Sequence, residues 1–76
     1  MTLKNKKFKK TLYFTASSHS TDQMKLAIES VTLQRDEFIE TNKDFIAKID
    51  NEEIILKTWN NDHYVVPILK LTYYEV

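Results

Sequence analysis

No glycine and no cysteine occur in the 76 residues, and proline and tryptophan occur once each. The missing glycine excludes most. Gly-rich loops that cradle phosphates, the P-loop and the dinucleotide fingerprint, need it for close backbone approach. So do the nucleophile elbow G-x-S-x-G and the sharp turn of an EF-hand loop. Positive-φ positions must then fall to Asn and Asp, which tolerate that region better than other residues. The missing cysteine excludes disulfides and a secreted, bridge-stapled framework. No apolar run approaches the roughly 18 residues of a membrane span. A basic N-terminus with no apolar stretch behind it is not a secretory signal. These absences make a cytoplasmic setting the expectation.

What is present describes one small globular domain. Hydrophobic residues make up 42% and charged residues 29% of the chain, the balance of a folded protein. A chain of this length buries only about 60% of its unfolded surface. The formal net charge is zero, but residues 1–10 hold five lysines and no acid, while the remainder holds six basic and eleven acidic side chains. Residues 1–7 read as a flexible basic tail and 8–76 as a single α+β domain.

The pattern along the chain predicts strand, helix, then four antiparallel strands. Lys10–Ala16 alternates with Leu12, Phe14 and Ala16 on one face. Ser20 and Gln23 have the spacing of a capping box. Met24, Ala27, Ile28 and Val31 follow at helical spacing, which predicts a helix over 21–32. A strand over 26–33 is the competing reading, because Ala27, Val31 and Leu33 share a parity. Asp36–Thr41 reads as a short strand. The stretch Asp44–Tyr73 reads as three strands with turns at Asp50-Asn51 and at Asn60-Asn61-Asp62. A two-residue turn at Asp50-Asn51 pairs Ala47 with Ile54 and Phe45 with Leu56, placing Phe45, Ala47, Ile49, Ile54 and Leu56 on the core face. Pro67 marks its strand as an edge, or as bent or bulged there. The expected fold is one helix packed on a four- to five-stranded antiparallel meander, β-α-β-β-β-β. A small all-β SH3-like barrel is the alternative if 21–32 is not a helix.

No catalytic, metal or cofactor constellation stands out. His19 and His63 are the only imidazoles, too few for a zinc site without converging carboxylates. Ser17, Ser18 and Ser20 flank His19, but neighbours in sequence rarely present triad geometry. The acids Asp36, Glu37, Glu40, Asp44, Asp50, Glu52 and Glu53 are interspersed with Arg35, Lys43 and Lys48, the pattern of a solvated face. The expectation is a protein that is not an enzyme and has no cofactor.

Two surfaces carry functional readings. The face opposite the core holds Ile46, Ile55, Lys57 and Trp59, with Tyr64 or, depending on the geometry of the second turn, Val65, the composition of a protein-binding hot spot or of a second small core. The lysines Lys4, Lys6, Lys7, Lys9 and Lys10, interleaved with Phe8 and Tyr13, suit a single-stranded nucleic acid. The function expected is a small non-enzymatic protein-binding module. Its size suits a phage or mobile-element inhibitor that blocks a host polymerase, nuclease or defence factor by steric occlusion, docking through the Trp59 face or an exposed edge strand. A nucleic-acid-binding regulator using the lysine arm and a homodimeric structural subunit are the alternatives.

Overall fold

A computed structural model describes residues 8–76. Strand β1 (Phe8–Thr15) and a two-residue strand β2 (His19–Ser20) precede a single 3-10 turn (Thr21–Gln23) and the helix α1 (Met24–Thr41). Strands β3 (Ile46–Trp59) and β4 (Tyr64–Glu75) follow. All pairings are antiparallel and all involve β4. β1 and β2 lie end to end along one side of β4, and β3 runs along the other. With α1 packed on one face, this is an α+β fold of one helix on a four-stranded antiparallel sheet, and it does not close into a barrel. Two strands follow the helix, where the sequence pattern predicts four. The sheet order also departs from a meander, because the last strand lies between the first and the third.

Ser20 caps the 3-10 turn that leads into the helix, while Gln23, the other half of the expected capping box, makes no side-chain cap hydrogen bond at the start of α1. Ser20, in extended geometry, accepts a hydrogen bond from the Asp22 amide at 3.2 Å, and Asp22 sits in the first turn. The helix then runs on through Asp36–Thr41, so the strand expected there is helical. The reason lies at Arg35. The inward face continues Ala27, Val31, Arg35, Phe38, and a guanidinium in that row interrupts the apolar signal without interrupting the helix. Arg35 reaches Glu52 on β3 and also Asp36, and its hydrogen bond to Glu52 raises its pKa further. Asn42 closes the helix, with its backbone N–H and its Nδ2 both donating to the Phe38 carbonyl. An 18-residue helix spans about 27 Å, close to the length of the Val65–Tyr73 segment beneath it.

Asp50-Asn51 is not a turn. β3 passes through it as one 14-residue strand. Its register against β4 shifts between Ile46 and Lys48 and again between Ile49 and Asn51. Each shift is a β-bulge, which flips the parity of the side chains beyond it. Ile49, Ile54 and Leu56 still share the helix side, opposite Tyr73, Leu69 and Pro67, but the face drawn from the supposed turn is not buried. Phe45 is 64% exposed, Ile49 39% and Ile54 40%, and Leu56 and Ala47 are half-buried.

The core comes from β4 instead. Val65, Pro67, Leu69, Leu71 and Tyr73 alternate along one face and are buried. Val31, Phe38 and Ile39 of the helix, with Leu12, Phe14, Ala16 and Ile46, pack against Leu69, Leu71 and Tyr73. Phe38 lies between Phe14 and Tyr73 at ring-centroid distances of 5.8 and 5.6 Å. Burial, reinforced by the Glu75 charge, raises the Tyr73 phenol above its ordinary pKa. Pro67 thus sits in the central strand, not at an edge. It is tolerated because the pairing on the β1 side lapses there. β1 ends at Thr15 opposite Ile68, and β2 starts at His19 opposite Val65, leaving Val66 and Pro67 without partners on that side.

The turn between β3 and β4 is the one the sequence predicts. Asn60, Asn61 and Asp62 have φ of 55°, 56° and 65°. His63 N–H donates to the Asn60 carbonyl at 3.1 Å, and Thr58 Oγ1 donates to Asp62 Oδ1 at 2.6 Å. The Thr21 N–H donates to the His63 carbonyl at 3.0 Å, tying the helix start to this tip.

Candidate functional site: the open face of the sheet

Directly opposed residues of paired strands share a face, so the register defines what each side of the sheet displays. The side away from α1 carries Lys9, Thr11, Tyr13 and Thr15 from β1. β4 contributes Tyr64, Val66, Ile68, Lys70, Thr72 and Tyr74, and the regular part of β3 contributes Asn51, Glu53, Ile55, Lys57 and Trp59. Among the described residues no helix or second sheet packs on this side.

Its composition is not that of a plain solvated face. Trp59 is 52% exposed and stacks on Tyr64 with ring centroids 4.9 Å apart and planes at 27°. The two rings are brought together by the three left-handed residues, which make Trp59 and Tyr64 the last opposed pair before the tip. Tyr13 is 59% exposed. Ile55, Val66 and Ile68 form a half-buried apolar strip between these aromatics. A two-layer antiparallel domain ordinarily turns polar residues to this side.

Charge is segregated between the two faces. The open face holds Lys9, Lys48, Lys57 and Lys70 against Glu53, with Asp50 at its bulged margin bridged to Lys9 at 3.7 Å. Lys9 also lies over the Tyr74 ring, 5.9 Å from its centroid. Acids concentrate on the helix, where Glu29, Asp36, Glu37 and Glu40 are exposed. The sequence shows a body of net negative charge; the fold places most of its lysines on one face of the sheet.

Of the residues singled out from sequence, Trp59, Tyr64, Ile55 and Lys57 come together on this face. Ile46 does not, because it pairs with Glu75 on the helix side and packs against the core. The assumed turn at Asp50-Asn51 put Ile46 opposite Ile55; the bulged continuous strand puts it elsewhere. Lys9 belongs to the open face, while Lys10 lies on the other parity and reaches Glu75 at 4.0 Å. Lys4, Lys6 and Lys7, like the whole tail 1–7, fall outside the described residues. Sequence reading missed Ile68 and Lys70, and it places Tyr13 only with the lysine arm, not on this face. Their shared face depends on the pairing of β1 with β4, and strand pairs so far apart in sequence leave no local signal.

The remaining chemistry is sparse. His19 Nδ1 lies 2.9 Å from the Ser17 carbonyl oxygen. Among the described residues no three His, Cys, Asp or Glu side chains cluster as a metal would require. An open depression of about 310 Å³ lies between α1 and β1, lined by Phe14, Gln34, Glu37, Phe38, Thr41 and Asn42. No described helix is long and apolar enough to cross a membrane. The chain matches no family model, no curated protein and no solved structure.

Proposed function

We propose that this chain is a non-enzymatic protein-binding module that docks through the open face of its sheet. The observation carrying this reading is the exposed Trp59–Tyr64 stack, continuous with the Ile55–Val66–Ile68 strip, on a face that no described element covers. Aromatic side chains set in a partly apolar, polar-rimmed patch are the usual anchors of protein recognition. The rim of lysines matches a partner surface with an apolar centre and acidic margins. Action would be steric, by covering the surface to which the module docks. The finer reading, a phage or mobile-element protein that occludes a host enzyme, is supported by size alone.

One observation favours a second reading, a nucleic-acid-binding regulator. Lysines and exposed aromatics share the open face, as on sheets that stack bases and track phosphates. The two readings separate in one experiment. The parent protein and Trp59→Ala are used as bait in an extract of the native host, with and without nuclease. Under the first reading the same protein is retained after nuclease, and Trp59→Ala weakens it by about 2 kcal/mol with unchanged thermal stability. Equal retention by Trp59→Ala would sink the docking face. Retention that vanishes with nuclease and falls steeply with salt would replace the first reading by the second.

A further inference from the structure

β3 is the longest strand of the sheet and lies at its edge. It pairs with β4 on one side, and among the described residues with no strand on the other. A long edge is a template for another strand, and natural proteins shield such edges with short length, proline or charge. β3 contains no proline, and its central residues Ile54, Ile55 and Leu56 are only partly buried. Flanking them are Glu53 and Lys57, which make no ion pair among the described residues.

The order of these residues is self-complementary. Glu53-Ile54-Ile55-Leu56-Lys57 runs acid, three apolar residues, base. Laid antiparallel against a second copy with Ile55 opposite Ile55, it sets Ile54 against Leu56 and Glu53 against Lys57, each twice. The backbone supplies the same centre independently. β3 is regular from Asn51, where the second bulge ends, to Trp59, where the left-handed turn begins, and the midpoint of that segment is Ile55. Other registers lose the match. Centring on Ile54 puts Glu53 opposite Ile55, and centring on Leu56 puts Lys57 opposite Ile55. Sliding by one residue also sends the two helices to opposite faces.

We infer that β3 pairs with β3 of a second copy of this chain, about a two-fold axis through Ile55. The ladder covers nine residues a side, roughly 30 Å. The interface is isologous, so it closes at two copies. Both helices lie on one side of the joined sheet. The two open faces merge on the other, with the Trp59–Tyr64 stack of each copy near Asn51 of its partner. The inference is independent of what docks on that face.

Charge reversal tests it, because these side chains are exposed and their exchange leaves the core untouched. Sedimentation velocity and native mass spectrometry would be run on the parent, on Glu53→Lys and on Lys57→Glu, each checked for folding by circular dichroism. The parent is expected to dimerise. Each variant sets like charges against each other at both ends and should dimerise about tenfold more weakly, or worse. Mixed in equal amounts, the two variants restore Lys opposite Glu at every end and should form a heterodimer, identified by mass. The chain carrying both exchanges should dimerise with itself. A parent that stays monomeric at high micromolar concentration overturns the inference. So do single variants that dimerise as well as the parent, or a mixture that forms no heterodimer. A monomeric parent that captures an extended peptide along β3 would assign the edge to a foreign strand instead.

Discussion

β3 and β4 are joined by one tight turn, paired along most of their length and comparably rich in aliphatic residues, yet only one of them is core. β4 buries Val65, Pro67, Leu69, Leu71 and Tyr73. β3 buries no side chain completely, and its Ile54, directly opposite Leu69, is 40% exposed. What separates the two rows is position. β4 has neighbours on both sides and the helix above it, whereas β3 has one neighbour and meets the helix chiefly through Arg35 and Glu52. Hydrophobicity makes a strand fit to be buried; the number of elements around it decides whether it is.

The sharpest test of that contrast is a single rung of the ladder. Leu69→Ala removes a fully buried side chain and should cost about 2–5 kcal/mol, a large share of the stability of a domain this small. Ile54→Ala, on the same rung and of equal size change, should cost about 1 kcal/mol in the monomer, because much of that surface is in water there. Chemical denaturation of both variants at concentrations low enough to keep them monomeric checks this, and equal losses there would show that β3 is covered within one chain. The next effect is at the turn that holds the two strands together. Asn61→Val places a β-branched residue at positive φ and should cost about 1–2 kcal/mol, whereas Asn61→Gly should cost nothing or stabilise. A harmless Asn61→Val would mean that the tip relaxes without disturbing the strands.

The smallest effect is electrostatic and belongs to β4 alone. The Tyr73 phenol is raised by burial, with the Glu75 charge adding to it. The fold therefore favours its neutral form. That contribution is complete below the unfolded value of about 10 and is lost as pH rises from there through the folded pKa. Spectroscopic titration of phenolate should show a late-ionising component that disappears in Tyr73→Phe. An unchanged titration curve would mean that Tyr73 is solvated.

The sequence pattern was legible where local chemistry decides. Ser20 caps the 3-10 turn that leads into the helix, and Asn60-Asn61-Asp62 turns the chain as its composition requires. It was illegible where a polar residue serves a tertiary role. Arg35 occupies an inward helical position because Glu52 answers it from another strand, so the helix looked as if it ended early. Asp50-Asn51 sits at a bulge on an exposed edge, and bulges and hairpin turns draw on the same residues. Pro67 suggested an edge because the lapse in pairing between β1 and β2 cannot be read from its neighbours. On the candidate face, Trp59, Tyr64, Ile55 and Lys57 were found because they flank one turn or alternate on one strand. Lys70 is not legible, and Tyr13 is legible only as a companion of the lysine arm, since only the pairing of β1 with β4 brings the two together on this face.

That pairing of the first strand with the last also sets an order of assembly. The β3–β4 hairpin closes over a four-residue turn, while Thr15 must find Ile68 across roughly fifty residues. In a flexible chain the longer closure costs about 2 kcal/mol more entropy. The hairpin is therefore expected to lead and β1 to join last, with high φ-values around Asn60–Asp62 and low ones at Leu12 and Phe14; the reverse pattern would place the long closure first. Until β1 arrives, one whole edge of β4 stands unpaired. A chain in that state can complete its sheet with the first strand of a neighbour as readily as with its own, so crowded refolding is the condition under which this fold exchanges strands between molecules.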